Sequence, residues 1–341
     1  MTNERAHTDQ GNRTAGRSRD GRGWGPRIAG DASSGGCALL LGDGLLPLCM
    51  LGGVPNLPEV PIGPSAITLS RDGPSPRLAE IRLHPIKSLD AVTLTECRIG
   101  PGGGLELDRV WALYSTDGDC INGKRTAAIH RIRAAFAPDV SSVTLSATGD
   151  RRGNAPQTFA FPGDCASAGE WFSEYFGQRV TVRYAPEGVP DDTLRNGPIV
   201  VSTATLRTVS EWFPGIDLEE LRRRFRTPLE IDGVDAFWED RLFSVHETDA
   251  VRFTIGDVNL EGINPCPRCV VPARDSLSGI DTIAFQRRFS DLRRAHYPSW
   301  ACEPDRIKHF YHLGINTRVA PSEHGKWLRV GDSVNCTKAV L

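Results

Sequence analysis

The sequence predicts an α+β, β-rich fold: an N-terminal β-barrel-like domain, then a second β-barrel domain with peripheral helices. Three observations predict it. Short apolar segments separated by turn residues recur from residue 77 to the end. Helical periodicity appears in only a few stretches, and many short strands with few helices favour barrels. At 341 residues and 39% apolar content, the chain is long enough for two ordinary domains. We divide it into an extension at 1–76, a first domain at 77–195 and a second at 196–341.

Leu78 to Ile86 reads as a strand, and Val92 to Ile99 as another whose apolar phase slips after Leu94, the mark of a bulge. Pro101-Gly102-Gly103-Gly104 is a loop. Strands follow at Arg109 to Tyr114, Thr126 to Ile132 and Val143 to Ser146. Ala166 to Phe176 has helical spacing, with Trp171, Phe172, Tyr175 and Phe176 on one face. Helices are expected at Thr203 to Phe213, with Leu206, Val209 and Phe213 inward, and at Asp217 to Phe225, capped by Asp217. Val251 to Ile255 and Val258 to Leu260 alternate as strands around a Gly256-Asp257 turn. A helix at Thr282 to His296 and a strand near Leu328 to Val334 close the chain.

Residues 1–76 differ in character. The first thirty or so are rich in Gly and Arg and poor in apolar residues, the composition of a disordered tail. Residues 37–54 turn apolar, but Asp43 and Pro47 interrupt a run already shorter than the roughly 20 residues a spanning helix needs. Asp43 also breaks the core of any signal peptide. Met50 is the only internal methionine, so translation beginning there is an alternative reading of this extension.

The net charge of −2 argues against a general nucleic-acid binder. Nine cysteines, an odd number scattered through a long chain, favour a reducing cytoplasm. The cations are almost all Arg; Lys occurs only at 87, 124, 308, 326 and 338. No plant-type Cys-x4-Cys-x2-Cys pattern and no Gly-rich dinucleotide fingerprint is present, so electrons for any redox chemistry come from outside the chain.

The chemistry concentrates at Asn264-Pro265-Cys266-Pro267-Arg268-Cys269, followed by Val270-Val271-Pro272-Ala273-Arg274-Asp275. Thiols beside guanidiniums suit a soft metal next to an anion, and nearby cations in general favour the thiolate. On spacing alone the pair is equally a redox couple, half a zinc site or two core thiols. Pro265, Pro267 and Pro272 argue against the helix a thioredoxin-type pair requires. Cys302, His309 and His312 are the nearest further zinc ligands, in no familiar spacing.

His84-Pro85-Ile86-Lys87-Ser88, Asp108-Arg109-Val110-Trp111, Arg224-Phe225-Arg226, Cys266 to Asp275 and Leu328 to Val334 occur in an order that resembles the MOSC superfamily. The resemblance is to two-part proteins with an N-terminal β-barrel domain and a MOSC domain, such as the mitochondrial amidoxime reducing component and its bacterial relatives. It covers about residues 77–341 and implies a molybdenum-pterin cofactor with one cysteine as an additional metal ligand. By motif position that cysteine is Cys269, the catalytic ligand, with Cys266 beside it as a packing thiol. Lys87, Ser88, Arg109 and Arg226 match cofactor-binding positions, and Arg268 and Arg274 flank the ligand loop. The family's Arg-Pro-Asn is Arg226-Thr227-Pro228 here, so the asparagine contact is missing.

The implied activity is reduction of a small N-hydroxylated or N-oxide substrate, fed by a reductase, ferredoxin or cytochrome-type carrier. His84 is expected to be a structural hydrogen bonder and Ser202 and Thr205 to belong to a helix cap. The alternatives are a persulfide-based sulfur carrier or transferase, because the resemblance extends to the C-terminal part of molybdenum cofactor sulfurases, and a non-catalytic cofactor-binding MOSC protein. Pyridoxal phosphate is not expected on this chain, which has no Lys between 125 and 307 to form the Schiff base. Neither nucleic acid nor a membrane is expected as a partner.

Overall fold

The computed structural model describes residues 75–149, 155–188, 196–244, 246, 249–301 and 307–336. The expectations for residues 1–74, including the apolar run and Met50, fall outside them. The first half contains β1 (Arg77–Leu83), β2 (Val92–Leu94), β3 (Glu96–Arg98), β4 (Trp111–Ser115), β5 (Cys120–Ile121), β6 (Ile132–Phe136), β7 (Ser142–Ala147), β8 (Gln157–Ala160), α1 (Cys165–Phe176) and β9 (Val180–Tyr184). The second contains β10 (Val200–Ser202), α2 (Thr203–Glu211), α3 (Leu218–Phe225), β11 (Leu229–Asp232), β12 (Val251–Ile255), β13 (Val258–Pro267), α4 (Phe285–Ala295), β14 (His312–Arg318), β15 (Trp327–Arg329) and β16 (Val334–Cys336).

The β-rich class is as the sequence predicts. An eight-stranded sheet runs β16-β12-β13-β14-β10-β11-β1-β2, so strands from both sides of residue 195 share it. The order is open, yet Arg77 bridges Ser333, and Leu78 N–H donates to Asp332 C=O at 2.8 Å. These bonds draw β1 toward the chain just before β16. Smaller sheets are β15-β3, β5-β4-β9 and β6-β7-β8.

The phase slip after Leu94 marks a change of sheet. Val92 to Leu94 pairs with β1, and Glu96 to Arg98 pairs with β15. The expected strand at 328–334 is likewise two strands. Gly331 takes φ 98° and Asp332 accepts the Arg329 N–H at 2.7 Å, which turns the chain between β15 and β16. The expected strand at Thr126 to Ile132 is corrected to a 3-10 turn over Ala127–Arg131, with β6 only beginning at Ile132. The Thr126 side chain accepts the Ala128 N–H and caps the turn, a local bond that outcompetes extension.

The helices fall where periodicity puts them. Trp171 and Phe172 of α1 are buried in the main core, with Tyr175 and Phe176 packed against it. Asp217 caps α3, accepting the Glu220 N–H at 2.7 Å. Leu206, Val209 and Phe213 join a second apolar cluster with Leu221, Phe225, Phe285 and Phe289, so α2, α3 and α4 share one core. Among the described residues no helix is long and apolar enough to cross a membrane.

Under this second core lies a buried polar group. Glu239 accepts from the Ser202 N–H at 3.3 Å and from Thr205 Oγ1 at 3.0 Å. Burial, then the adjacent Asp240 charge, pushes its carboxyl up to about 7. The folded state therefore keeps a proton that the unfolded chain gives up near its ordinary value of 4.5. The stabilisation is full below that value and is lost as pH rises through about 7. Glu239→Gln is expected to flatten this dependence and to exceed wild type in stability at pH 8 by about 2 kcal/mol. Urea midpoints at pH 5 and pH 8 measure it; equal slopes in both proteins would refute the assignment.

Candidate functional site

Past β1 the chain leaves the sheet and is stitched to the approach of β4. Arg109 N–H donates to His84 C=O at 2.8 Å, Trp111 N–H to Pro85 C=O at 3.1 Å and Lys87 N–H to Trp111 C=O at 2.8 Å. Buried Asp108 ties the two segments: one carboxylate oxygen accepts the His84 N–H at 2.9 Å, the other accepts Arg109 Nε at 2.7 Å. A carboxylate so placed fixes the direction of the guanidinium. Ser88 and Arg109 both sit in the left-handed region, at φ 73° and 53°. Arg226 does too, at 54°, as the residue that ends α3. That conformation costs a non-glycine residue about 1 kcal/mol and collects at functional sites.

β13 carries the thiols. Its pairing with β14 shifts register between Gly262 and Asn264 and again between Pro265 and Pro267, where prolines cannot donate to the ladder. Cys266 is buried at the strand's end; Cys269 is half-buried beyond it, before a 3-10 turn at Val271–Ala273. Neither forms a disulfide.

A third segment was not foreseen. Asn122 Oδ1 accepts the N–H groups of Lys124 at 3.0 Å and Arg125 at 3.2 Å, forming a tight loop. Ser88 Oγ accepts the Gly123 N–H at 3.1 Å, while Arg274 Nη1 donates to Gly123 C=O at 2.6 Å. The loop thus bridges the Lys87-Ser88 segment and the thiol segment. The 3-10 turn that follows buries His130.

These segments enclose a solvent-open cleft of about 920 Å³. It brings together Lys87, Ser88, Arg109, Arg226, Arg268, Cys266, Cys269 and His84, and adds Asn122, Gly123, Lys124 and His130. Lys124 had a signal in the sequence, being the second lysine of a chain that prefers Arg; His130 had none. Arg274 is not part of the lining; besides Gly123 it reaches Asp281, at 3.3 Å. Arg268 lines the cleft with its guanidinium committed to carbonyls, those of Phe225 at 2.8 Å and Leu313 at 3.0 Å. Its bonds fasten the thiol loop to α3 and β14. Ser202 caps α2, accepting the Thr205 N–H at 3.0 Å.

Lys87, Arg109, Lys124, Arg224, Arg226 and Arg268 line the cleft, with no Asp or Glu among the described residues that do so. The acids lie outside the lining and orient cations: Asp108 on Arg109, Glu220 on Arg224 at 2.6 Å. Arg226 donates to Leu89 C=O, and burial lowers its pKa to about 10, which leaves it charged at neutral pH. Burial and the charges of Arg226, Arg109 and Arg82 hold His84 well below the usual histidine range. His130 is held at about 4, by burial first and then by Arg226 and Arg274. Both imidazoles are neutral, so fixed positive charge comes from Lys and Arg alone. Among the described residues no group of three or more His, Cys, Asp or Glu could by itself hold a metal. A single thiol amid cations does suit a metal that brings most of its own ligands on an anionic carrier.

The chain is similar in part to known proteins. Molybdenum cofactor sulfurase of Danio rerio is 23% identical over 281 residues, covering 67% of this chain and 32% of the relative. The chain therefore spans about a third of that relative's length. The family of the MOSC N-terminal beta barrel domain matches residues 75–179, the segment that supplies Lys87, Ser88, Arg109, Lys124 and His130 to the cleft. Residues 75–179 are thus similar to a MOSC N-terminal beta barrel domain.

Proposed function

We propose that the chain binds a molybdenum-pterin cofactor in this cleft and reduces small N-hydroxylated or N-oxide substrates. The observation that carries the reading is the joining of a half-buried thiol, Cys269, to six basic side chains without a lining carboxylate. Lys87, Arg109 and Lys124 would hold the anionic carrier, Lys as a point charge and Arg with a planar fork aimed by Asp108. Cys269 would ligate the metal, while Cys266 fills the strand end. When bound, the metal supplies the two-electron redox chemistry.

For an N–OH substrate the balance is one N–O bond broken, two electrons and two protons consumed, and water released with the N–H product. The electrons come from an external reductase, ferredoxin or cytochrome-type carrier in a reducing cytoplasm. The protons come from solvent through the open cleft, because His84 and His130 are both held neutral. Residues 196–341 would form the MOSC domain proper, contributing Arg226 and Cys269.

The sulfurase relative supports a second reading, in which Cys269 or Cys266 carries a persulfide. Producing the protein in a host that makes the pterin cofactor and in one that cannot separates the two. Molybdenum near one per chain only from the first host, with turnover of a simple amidoxime by an artificial electron donor, is the expected result. Absence of molybdenum with a persulfide on Cys269 would replace it with sulfur transfer.

A further inference from the structure

The loop before α4 shows three large aliphatic side chains to water: Leu277 is 47% exposed, Ile280 67% and Ile283 95%. Its backbone is nevertheless held from several sides. Asp275 Oδ1 accepts the N–H groups of Leu277 at 3.2 Å and Ser278 at 2.8 Å. Arg133 Nη2 donates to Ser276 C=O at 3.0 Å, and Arg131 Nε to Ser278 C=O at 3.3 Å. Gly279, at φ 73°, brings the loop so close to Ala127 that a Cβ there would lie 2.4 Å from the carbonyl oxygen. Apolar residues scattered singly over a surface need no explanation, but three on one firmly held loop mark a contact surface.

Charge says what fits there. Leu277 also lines a second cleft, of about 740 Å³, where Arg82, Arg133, Arg223 and Arg226 meet Asp90 and Glu219. Four guanidiniums against two carboxylates make this face positive on a chain whose formal net charge is −2. The second cleft shares His84, Ser88, His130 and Arg226 with the first, so the two meet at a common wall. An apolar patch beside surplus positive charge suits an acidic protein, with aliphatic contact for adhesion and opposite charge for steering and orientation. Its small extent suits a transient redox encounter better than a permanent complex. Resting on the reading of the first cleft as a redox centre, we infer that this face docks an acidic electron-carrier protein. The carrier's apolar surface covers Leu277, Ile280 and Ile283, and its carboxylates lie over the Arg-lined cleft. Two encounters, each oxidising a carrier by one electron, supply the two electrons that one N–O bond consumes.

The test uses the cofactor-loaded full chain, a simple amidoxime and two donors. One is reduced plant-type ferredoxin, a small acidic carrier; the other is reduced methyl viologen, which needs no docking face. Ile280→Glu with Ile283→Glu gives the loop the partner's own charge, and Ile280→Lys with Ile283→Lys gives it the opposite charge. For ferredoxin, kcat/KM is expected to fall about 10-fold in the Glu pair and less than about threefold in the Lys pair. The wild-type value should also fall as salt is raised. Viologen-driven turnover should be the same in all three proteins. No loss in the Glu pair, equal losses in the two pairs, or viologen turnover without ferredoxin turnover would each overturn the inference and leave the function reading standing. Turnover of wild type with neither donor would overturn both.

Discussion

Cys269→Ala is expected to abolish molybdenum retention and turnover, whereas Cys266→Ala keeps most of both. The two thiols are three positions apart, and the structure makes them unequal. Cys266 ends β13, is 8% exposed and belongs to the packed wall of the cleft. Removing its sulfur deletes a small buried apolar volume, worth about 1 kcal/mol of stability. Cys269 lies past the strand, half-buried, between the Arg268 clamp and the turn at Val271. Losing a residue that merely supports a metal ligand costs roughly 10–100-fold in affinity, so losing the ligand itself should exceed that. Metal content per folded chain, with urea midpoints to exclude unfolding, reads the difference. The reverse pattern, Cys266→Ala empty and Cys269→Ala loaded, would transfer the ligand role to the strand-end thiol.

Why the sequence foretold some of this and not the rest has physical causes. Helices α1 to α4 carry their apolar stripe at the helical period, and α3 also carries its own cap at Asp217; both signals are local. The short strands β5, β8, β10 and β15 have two to four residues each. Such strands exist because distant partners supply their hydrogen bonds, and a single sequence does not announce the partners. The Leu94 phase slip was visible, but whether it meant a bulge or a change of sheet depended on Trp327 to Arg329, more than two hundred residues away.

The candidate site divides the same way. Lys87, Ser88, Arg109, Arg226 and Cys269 were legible because they sit in recognisable motifs. The left-handed backbones of Ser88, Arg109 and Arg226 were not, since Ser and Arg give no hint of positive φ as Gly does. His130 escaped because reading Thr126 to Ile132 as a strand pointed alternate side chains in the wrong directions. The cap at Thr126 shortens that segment into a turn and brings His130 to the cleft. Arg268 shows the converse: its place beside Cys269 suggested ligand binding, but tertiary structure supplied the carbonyls of Phe225 and Leu313 for it to hold.

Asp240→Ala should be the most damaging change outside the cleft, costing about 3–5 kcal/mol. Arg293 is 1% exposed in α4, and its Nη2 donates to Asp240 Oδ2. Its Nε and Nη1 find no partner among the described residues, and its guanidinium lies over the Phe237 ring at 4.1 Å. Among the described residues the aspartate is the ion-pair partner of a cation already short of hydrogen bonds, and truncating it strands that cation in the second core. A buried pair is nevertheless replaceable as a unit. Asp240→Leu with Arg293→Met should recover most of the loss that Asp240→Ala inflicts, as measured by urea unfolding at fixed pH. The same core includes Phe225, whose carbonyl holds Arg268. If that clamp passes the damage on, Asp240→Ala will lower metal retention per folded chain as well as stability, and the double variant will restore both. Retention unchanged in Asp240→Ala would mean that the thiol loop is held independently of the core beneath it.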